Sequence, residues 1–416
     1  MIKKIIVSIG LLFSLVSFSQ EGTSSPYSFY GIGDVRFKGT AETRSMGGVS
    51  VFPDSIHINL QNPAQFASLK LSTLTTGGTY ANTKFKTESQ EEKARRTSLD
   101  YLAVGIPTGK LGFGFGLIPY SSVGYKIQKF ADANSPITRR YNGIGGVNKA
   151  FFGVGYKLSE KFNIGADVQY NFGTIETKSL RFVDGVQFGT RELNHSDLRG
   201  VNFTTALTYQ TKFKNKLSFF SSFVLTPGAN LKLENSRNIA TVQFFSQGGE
   251  RVIDKVDIDV ANTTLKLPTK VAFGAGFGQV KKWLVGSEVV FQKTSDLGNR
   301  FNDIDNVSYE NATRYSIGGY YIPNYNSYSS YLKKVTYRGG LRYENTGLII
   351  NNKSINDFAV NLGLGLPMSG TFSNINLGLE IGKKGTKYYG LVEENYVNIT
   401  VGLSFSERWF VKRKYD

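Results

Sequence analysis

Two histidines, some regularly spaced glycines and a few isolated carboxylates are the residues whose types and spacing invite a chemical reading. His195 lies in Asn194-His195-Ser196-Asp197, which holds the hydroxyl, imidazole and carboxylate that hydrolysis uses. Neighbours in sequence rarely converge as a triad, and the quartet is ordinary loop composition, so no enzyme is expected. His57 falls in an irregular stretch and reads as a hydrogen-bonding residue rather than a ligand. Gly274-x-Gly276-x-Gly278 and Gly112-x-Gly114-x-Gly116 suggest a phosphate loop at first sight. That fingerprint needs a strand-to-helix turn, whereas these glycines recur at every second residue inside strands. There they thin one wall so that a plug or a ligand can approach the backbone. No metal and no cofactor is implied. Asp167, Glu288 and Glu380 fall at positions predicted to face an interior. Either they gate or select a permeant, or they pair with basic residues such as Arg44.

The elements carrying these residues begin with an export signal. Lys3 and Lys4 precede the apolar run Ile5–Phe18, and Ser17 and Ser19 supply the small residues of a cleavage site. Residues 1–19 are therefore expected to be removed, leaving Gln20 first. The apolar run is short for an anchor, and no later stretch approaches the ~18 apolar residues of a membrane helix. Cysteine is absent, which excludes disulfides and lipidation at a cysteine. Tyr (23), Phe (31) and Gly (46) far outnumber Met (3), a balance that favours strands and tight turns. The net charge of +17 is spread along the chain instead of forming the patch a nucleic acid would need.

From about residue 70 onward the chain alternates with a period of two. In Asn395–Ser406, Val397, Ile399, Val401, Leu403 and Phe405 share one face, and Asn398, Thr400, Gly402 and Ser404 share the other. Phe162–Gly173 and Phe372–Ile381 repeat the pattern. Soluble sandwiches alternate too, but here the polar faces are Gly, Asn, Ser and Thr, which suit a crowded lumen. The connections also alternate in length. Tight turns at 107–110, 157–161, 212–215, 279–282 and 367–371, with a longer sixth turn at 322–332 rich in Tyr and Ser, separate longer loops near 85–97, 126–140, 179–197, 231–266, 294–312, 345–356 and 384–392. Seven long loops require fourteen strands, each of at least the ~9–11 residues a tilted transmembrane strand needs. The expectation is an all-β chain forming a 14-stranded antiparallel transmembrane β-barrel over residues 70–406. Residues 20–69 would be an irregular plug in its lumen, and 407–416 a basic periplasmic tail.

The plug carries a family resemblance. Met46-Gly47-Gly48, Asp54, Asn62-Pro63-Ala64 and Ala67 resemble the N-terminal hatch of the FadL/TodX-like outer-membrane transport family, whose barrels also have fourteen strands. Leu362-Gly363-Leu364-Gly365-Leu366-Pro367, Glu393-Glu394-Asn395-Tyr396 and the tail from Trp409 to Asp416 resemble members from Bacteroidota. The last strand ends near Ser406 with a tail behind it, a departure from barrels that close on a terminal aromatic. The resemblance implies a monomer in the outer membrane that passively admits a small hydrophobic compound, fatty-acid-like or hydrocarbon-like. Loops 179–197 and 231–266, with Val242, Phe244 and Phe245, would then form the capture surface. In such proteins a kink in the third strand opens the wall sideways to lipid. Pro119, which deletes a ladder hydrogen bond, places that opening near Gly116–Tyr120; a simple bulge at the outer rim is the alternative. PorV-like relatives imply a second function, a protein-binding scaffold partnered with type IX secretion. A general porin is a third, against which the plug argues.

Overall fold

The computed structural model of the protein describes residues 22–131, 135–183, 185–213, 216–245, 249–297 and 306–409. The expected signal segment 1–19 and the tail from Phe410 lie outside the described residues. Fourteen antiparallel strands form the wall. The first six are β1 (Ser72–Lys86), β2 (Glu91–Thr108), β3 (Leu111–Lys129), β4 (Ile137–Lys157), β5 (Phe162–Val183) and β6 (Phe188–Lys212). β7 runs as Ser218–Thr226 and Ala229–Phe244, and β8 as Glu250–Ile258, Thr263–Leu267 and Lys270–Gln279. The circuit continues through β9 (Trp283–Gln292), β10 (Ala312–Tyr321), β11 (Thr336–Ile350), β12 (Lys353–Pro367), β13 (Asn374–Lys384) and β14 (Glu393–Glu407). β14 pairs with β1 from Glu393↔Lys86 to Glu407↔Ser72, which closes the ring.

Parity sorts the side chains as expected. Phe152, Val168, Phe203, Phe273, Leu362 and Ile399 are exposed around the outside, while Asp167, Asn202, Gly274 and Asn361 between them point inward. An apolar belt of that extent is not carried by a water-soluble monomer. It matches a hydrocarbon layer, in which closing the ladder satisfies the backbone that lipid cannot. Among the described residues no helix is long and apolar enough to cross a membrane; the strands do the crossing.

Two features depart from the sequence reading, and a third concerns the wall near Pro119. Residues 179–197 and 231–266 are largely strand rather than loop: β5, β6 and β7 stay paired out to Arg181↔Thr190 and Phe188↔Gln243. Backbone pairing persists there although no lipid imposes the contrast between faces that marks a strand in sequence. The expected strands 215–230 and 267–279 are interrupted at Pro227-Gly228 and Pro268, two prolines on neighbouring strands that cannot donate to the ladder. Finally, the wall is only half laddered between β2 and β3. Their pairing runs from Thr108↔Leu111 to Leu102↔Leu117 and stops. Beyond it, Pro119 opposes Asn148, Ser121 opposes Val147, and Tyr120 is the extra residue of a bulge.

Candidate functional site

The N-terminal segment up to Leu71 lies inside the barrel, and the glycines of the wall make room for it. A Cβ on Gly112 would stand 1.9 Å from the carbonyl oxygen of Phe66, and one on Gly165 2.4 Å from the amide nitrogen of Ala64. Gly276 leaves space for the Phe52 ring and Gly318 for the Met46 carbonyl. Of the alternate glycines of the sequence, Gly112, Gly114, Gly274 and Gly276 thus face the segment, whereas Gly116 and Gly278 lie against neighbouring strands. Gly47 and Gly48 have φ of 71° and 91°, left-handed values that β-carbons resist. This double turn lets the chain pass 2.6 Å from the Leu341 carbonyl, measured to where a Gly47 Cβ would be. Asn62 caps the short helix Pro63–Ser68, its side chain accepting from Ala64 N at 3.2 Å, and Pro63 opens that helix with no N–H to lose. Ala64 is completely buried.

Charge fastens the other half of the segment. Arg44 donates to Asp100 at 3.1 Å, to Thr79 at 3.0 Å and to Glu380 at 3.0 Å. Arg342 grips the second Glu380 oxygen at 2.7 Å, Asp357 at 3.0 Å and Glu344 at 2.8 Å. Lys38 reaches Asp357 at 2.8 Å, and Lys384 reaches Asp34 at 2.7 Å. On the far wall Glu288 accepts from both the amide (2.9 Å) and the hydroxyl (2.6 Å) of Ser50 and faces Arg314 at 3.3 Å. Of the three expected lumen carboxylates, Glu288 and Glu380 therefore hold the interior segment. Asp167 does not; it accepts from Gln169 at 2.7 Å in a separate cavity. Sequence reasoning does not single out Asp100, Arg342 or Asp357. The parity of β11 could have flagged Arg338 and Arg342, which flank inward-facing Gly340.

Near the short-turn mouth Asp54 accepts from the amides of Ile56 (2.9 Å) and His57 (3.1 Å) and pairs with His57 Nδ1 at 2.8 Å. Nε2 of the same ring stands 3.7 Å from Glu42. Burial and, more weakly, Arg338 pull the imidazole down, but Asp54 and Glu42 outweigh them and the net shift is upward. Asp54 is itself shifted down from 3.8: burial pushes it up, and His57 together with the two amides prevails. A raised histidine contributes stability that is complete below its ordinary 6.5 and fades as pH climbs through the higher value. The lowered aspartate contributes above 3.8 and fades on acidification. The segment should therefore resist added protease better at about pH 5 than at about pH 8. In His57→Gln that difference should vanish; an equal difference in the variant would refute the assignment.

The remaining sequence candidates sit elsewhere. Gly116, Pro119 and Tyr120 lie where the β2–β3 ladder ends. There the segment patches the bare edge of β3: Asp34–Val35 pairs with Ser122 and Ser121, Arg36 N donates to Tyr120 O at 2.9 Å, and Ser121 Oγ donates to Ile32 O at 2.7 Å. Above this patch a cleft of about 310 Å³ separates Ala94 and Arg96 of β2 from Tyr125 and Ile127 of β3. A larger cavity of about 440 Å³ opens at the short-turn end, between Phe52, His57, Tyr320 and Phe372. The apolar capture patch expected at Val242, Phe244 and Phe245 is not formed as such. Val242 is buried with Leu180 and Ala240, Phe244 packs 4.9 Å from the Phe182 ring, and only Phe245 is exposed. His195 meets Asp197 at 3.4 Å, but Ser196 bonds Asn235 instead, so no triad is assembled. Among the described residues no cluster of His, Asp or Glu could hold a metal ion.

Solved structures share this architecture. The Pseudomonas putida toluene transporter TodX superposes with a TM-score of 0.61 at 16% identity, over 91% of this chain and 100% of that one. The Ralstonia pickettii toluene transporter TbuX gives 0.57 at 13%, over 94% and 99%. A Pseudomonas aeruginosa FadL homologue gives 0.55 at 12%, over 90% and 98%. At such identities the likeness is one of fold, a FadL/TodX-like barrel of the outer-membrane type. No curated protein matches the sequence. The family model described as BamG matches residues 1–416, the whole length, and the chain accordingly belongs to the BamG family.

Proposed function

We propose that the protein is an outer-membrane channel through which a small hydrophobic compound, fatty-acid-like or hydrocarbon-like, crosses passively. The interior segment acts as a hatch that blocks a straight aqueous path, and the cleft between β2 and β3 is the way out into lipid. The observation that carries this reading is the half-unzipped ladder. A transmembrane barrel gains from pairing every strand along its length. Here Ile118–Lys129 forgoes a β2 partner, and the interior segment covers part of the edge left bare. TodX and TbuX, whose fold this chain shares, are toluene transporters by name. An apolar solute needs no energy source for this route, because partition into an apolar passage and then into lipid is favourable.

Native mass spectrometry of the protein released from mild detergent tests the function. A co-purified lipid-like small molecule, with no protein bound, is the expected result. A stoichiometric protein partner with no small molecule would overturn the channel and favour the scaffold. The route has its own test. Ala94 of β2 and Ile127 of β3 line the cleft from its two sides. A cysteine at each, bridged by a bifunctional maleimide, should abolish transfer of a fluorescent fatty acid into proteoliposomes. The unbridged double variant should keep it. Transfer that survives bridging would remove the sideways exit.

A further inference from the structure

Dispersed in sequence, the surplus positive charge is gathered by the fold at one end of the barrel. At the long-loop end cations meet acids: Lys84 and Lys86 pair with Glu91, Lys178 and Arg191 with Glu250, and Lys383 with Glu393. The turns of the opposite end bring Lys110, Lys161, Lys212, Lys216, Lys281 and Lys333 to one rim, all of them exposed. None of the six makes an ion pair among the described residues; Lys281 instead stands 4.5 Å over the neutral Tyr325 ring. The described acids at that rim are Glu160 and Glu407. Glu160 is bonded to Lys157 at 2.7 Å and faces Lys70 and Lys212 more distantly, while Asp54, inside the mouth, belongs to His57. Beside the six cations in sequence stand Leu111, Phe162, Phe213, Leu217, Val280 and Leu332, every one exposed. Leu111 and Phe162 open the outward rows that continue through Phe115 and Ile164 in the apolar belt.

We infer that this rim is a binding surface for anionic phospholipid: its lysines contact phosphate heads of the surrounding leaflet, and the apolar neighbours enter the acyl chains beneath. Two observations favour lipid as the occupant. The rim is continuous with the belt that hydrocarbon already covers, and its unanswered positive charge complements an acidic head group. A lysine stem lies along apolar surface while its ammonium reaches outward, which is what a cation beside a greasy residue does at a membrane boundary. Left in neutral lipid, the same cations would repel one another without compensation. The inference concerns how the barrel is held and does not depend on what crosses it.

Both tryptophans of the chain, Trp283 and Trp409, lie at this rim, Trp283 directly after Lys282 and Trp409 after Arg408. Quenching of their fluorescence by phosphatidylglycerol or phosphatidylcholine brominated high on the acyl chains, in mixed vesicles, reads which lipid gathers there. The anionic lipid should be preferred by at least about fivefold at low salt. That preference should shrink toward parity at about 1 M salt, where the screening length is only about 3 Å. Lys212→Gln, Lys216→Gln, Lys281→Gln and Lys282→Gln combined should lose most of it. Arg199→Gln with Lys255→Gln, toward the long-loop end, should keep it. Equal quenching by the two lipids in wild type would overturn the inference and leave the rim to an acidic protein; so would a preference undiminished in the fourfold variant. Should that variant fail to give the heat-modifiable folded band on gels, wild type at low and high salt decides alone, and a preference that ignores salt overturns the inference.

Discussion

Arg342→Met is expected to destabilise the protein by about 3–5 kcal/mol, the cost of leaving buried carboxylates without their counter-ion. Arg342 is only 2% exposed and touches Glu344, Asp357, Glu380 and the Tyr396 hydroxyl. Glu380 also holds Arg44 of the interior segment, and Asp357 holds Lys38. Removing the guanidinium therefore strands two carboxylates that fasten the segment to the wall. Unfolding in detergent, followed by denaturant titration and by the heat-modified gel shift, measures the loss. Adding Asp357→Asn and Glu380→Gln to Arg342→Met should return part of the stability, since replacing an ionic group entire is milder than breaking it. A loss below about 1 kcal/mol, the range of surface ion pairs, would mean that the network is solvated and does not anchor the segment.

Gly165→Leu should unseat the segment rather than unfold the barrel. The added Cβ would fall 2.4 Å from Ala64 N and 2.5 Å from the Pro63 carbonyl carbon, both backbone atoms, so no side-chain rotation relieves it. Overpacking of this kind costs about 1–3 kcal/mol. Expelling Pro63–Ser68 from its cradle relieves it without disturbing the β4–β5–β6 ladder. Planar-bilayer recordings should show a larger single-channel conductance, and the segment should become protease-sensitive. Gly339→Ala is the control, because a Cβ there meets nothing nearer than 4.0 Å; it should behave as wild type. Unchanged conductance in a folded Gly165→Leu variant would mean that the segment does not obstruct the lumen.

Much of this was legible in the chain itself. Period-two alternation with small neutral residues on one face already implied a closed barrel, since only a lumen tolerates Gly and Asn where solvent would invite Lys and Glu. Alternating turn lengths implied fourteen strands. The spacing of Gly112 and Gly114 announced a close approach to one wall, and Pro119 an irregularity of the third strand. The strand arms over 179–197 and 231–266 escaped notice. Pairing above the membrane leaves both faces in water, so parity no longer separates greasy from polar side chains.

Sequence alone determined the barrel, its parity and the presence of an irregular segment for it to enclose, because each of those follows from local periodicity and from how lipid punishes an unpaired backbone. Only the tertiary structure decided what anchors that segment and how far the β2–β3 ladder fails to form. Arg44 meets Asp100 and Glu380 across separations of 56 and 336 residues, and no local pattern encodes such partners. The gap between β2 and β3 is likewise a property of two strands, since Ile118–Lys129 and Glu91–Tyr101 each look ready to pair. Which neighbour each takes is settled by the ring closing around its contents.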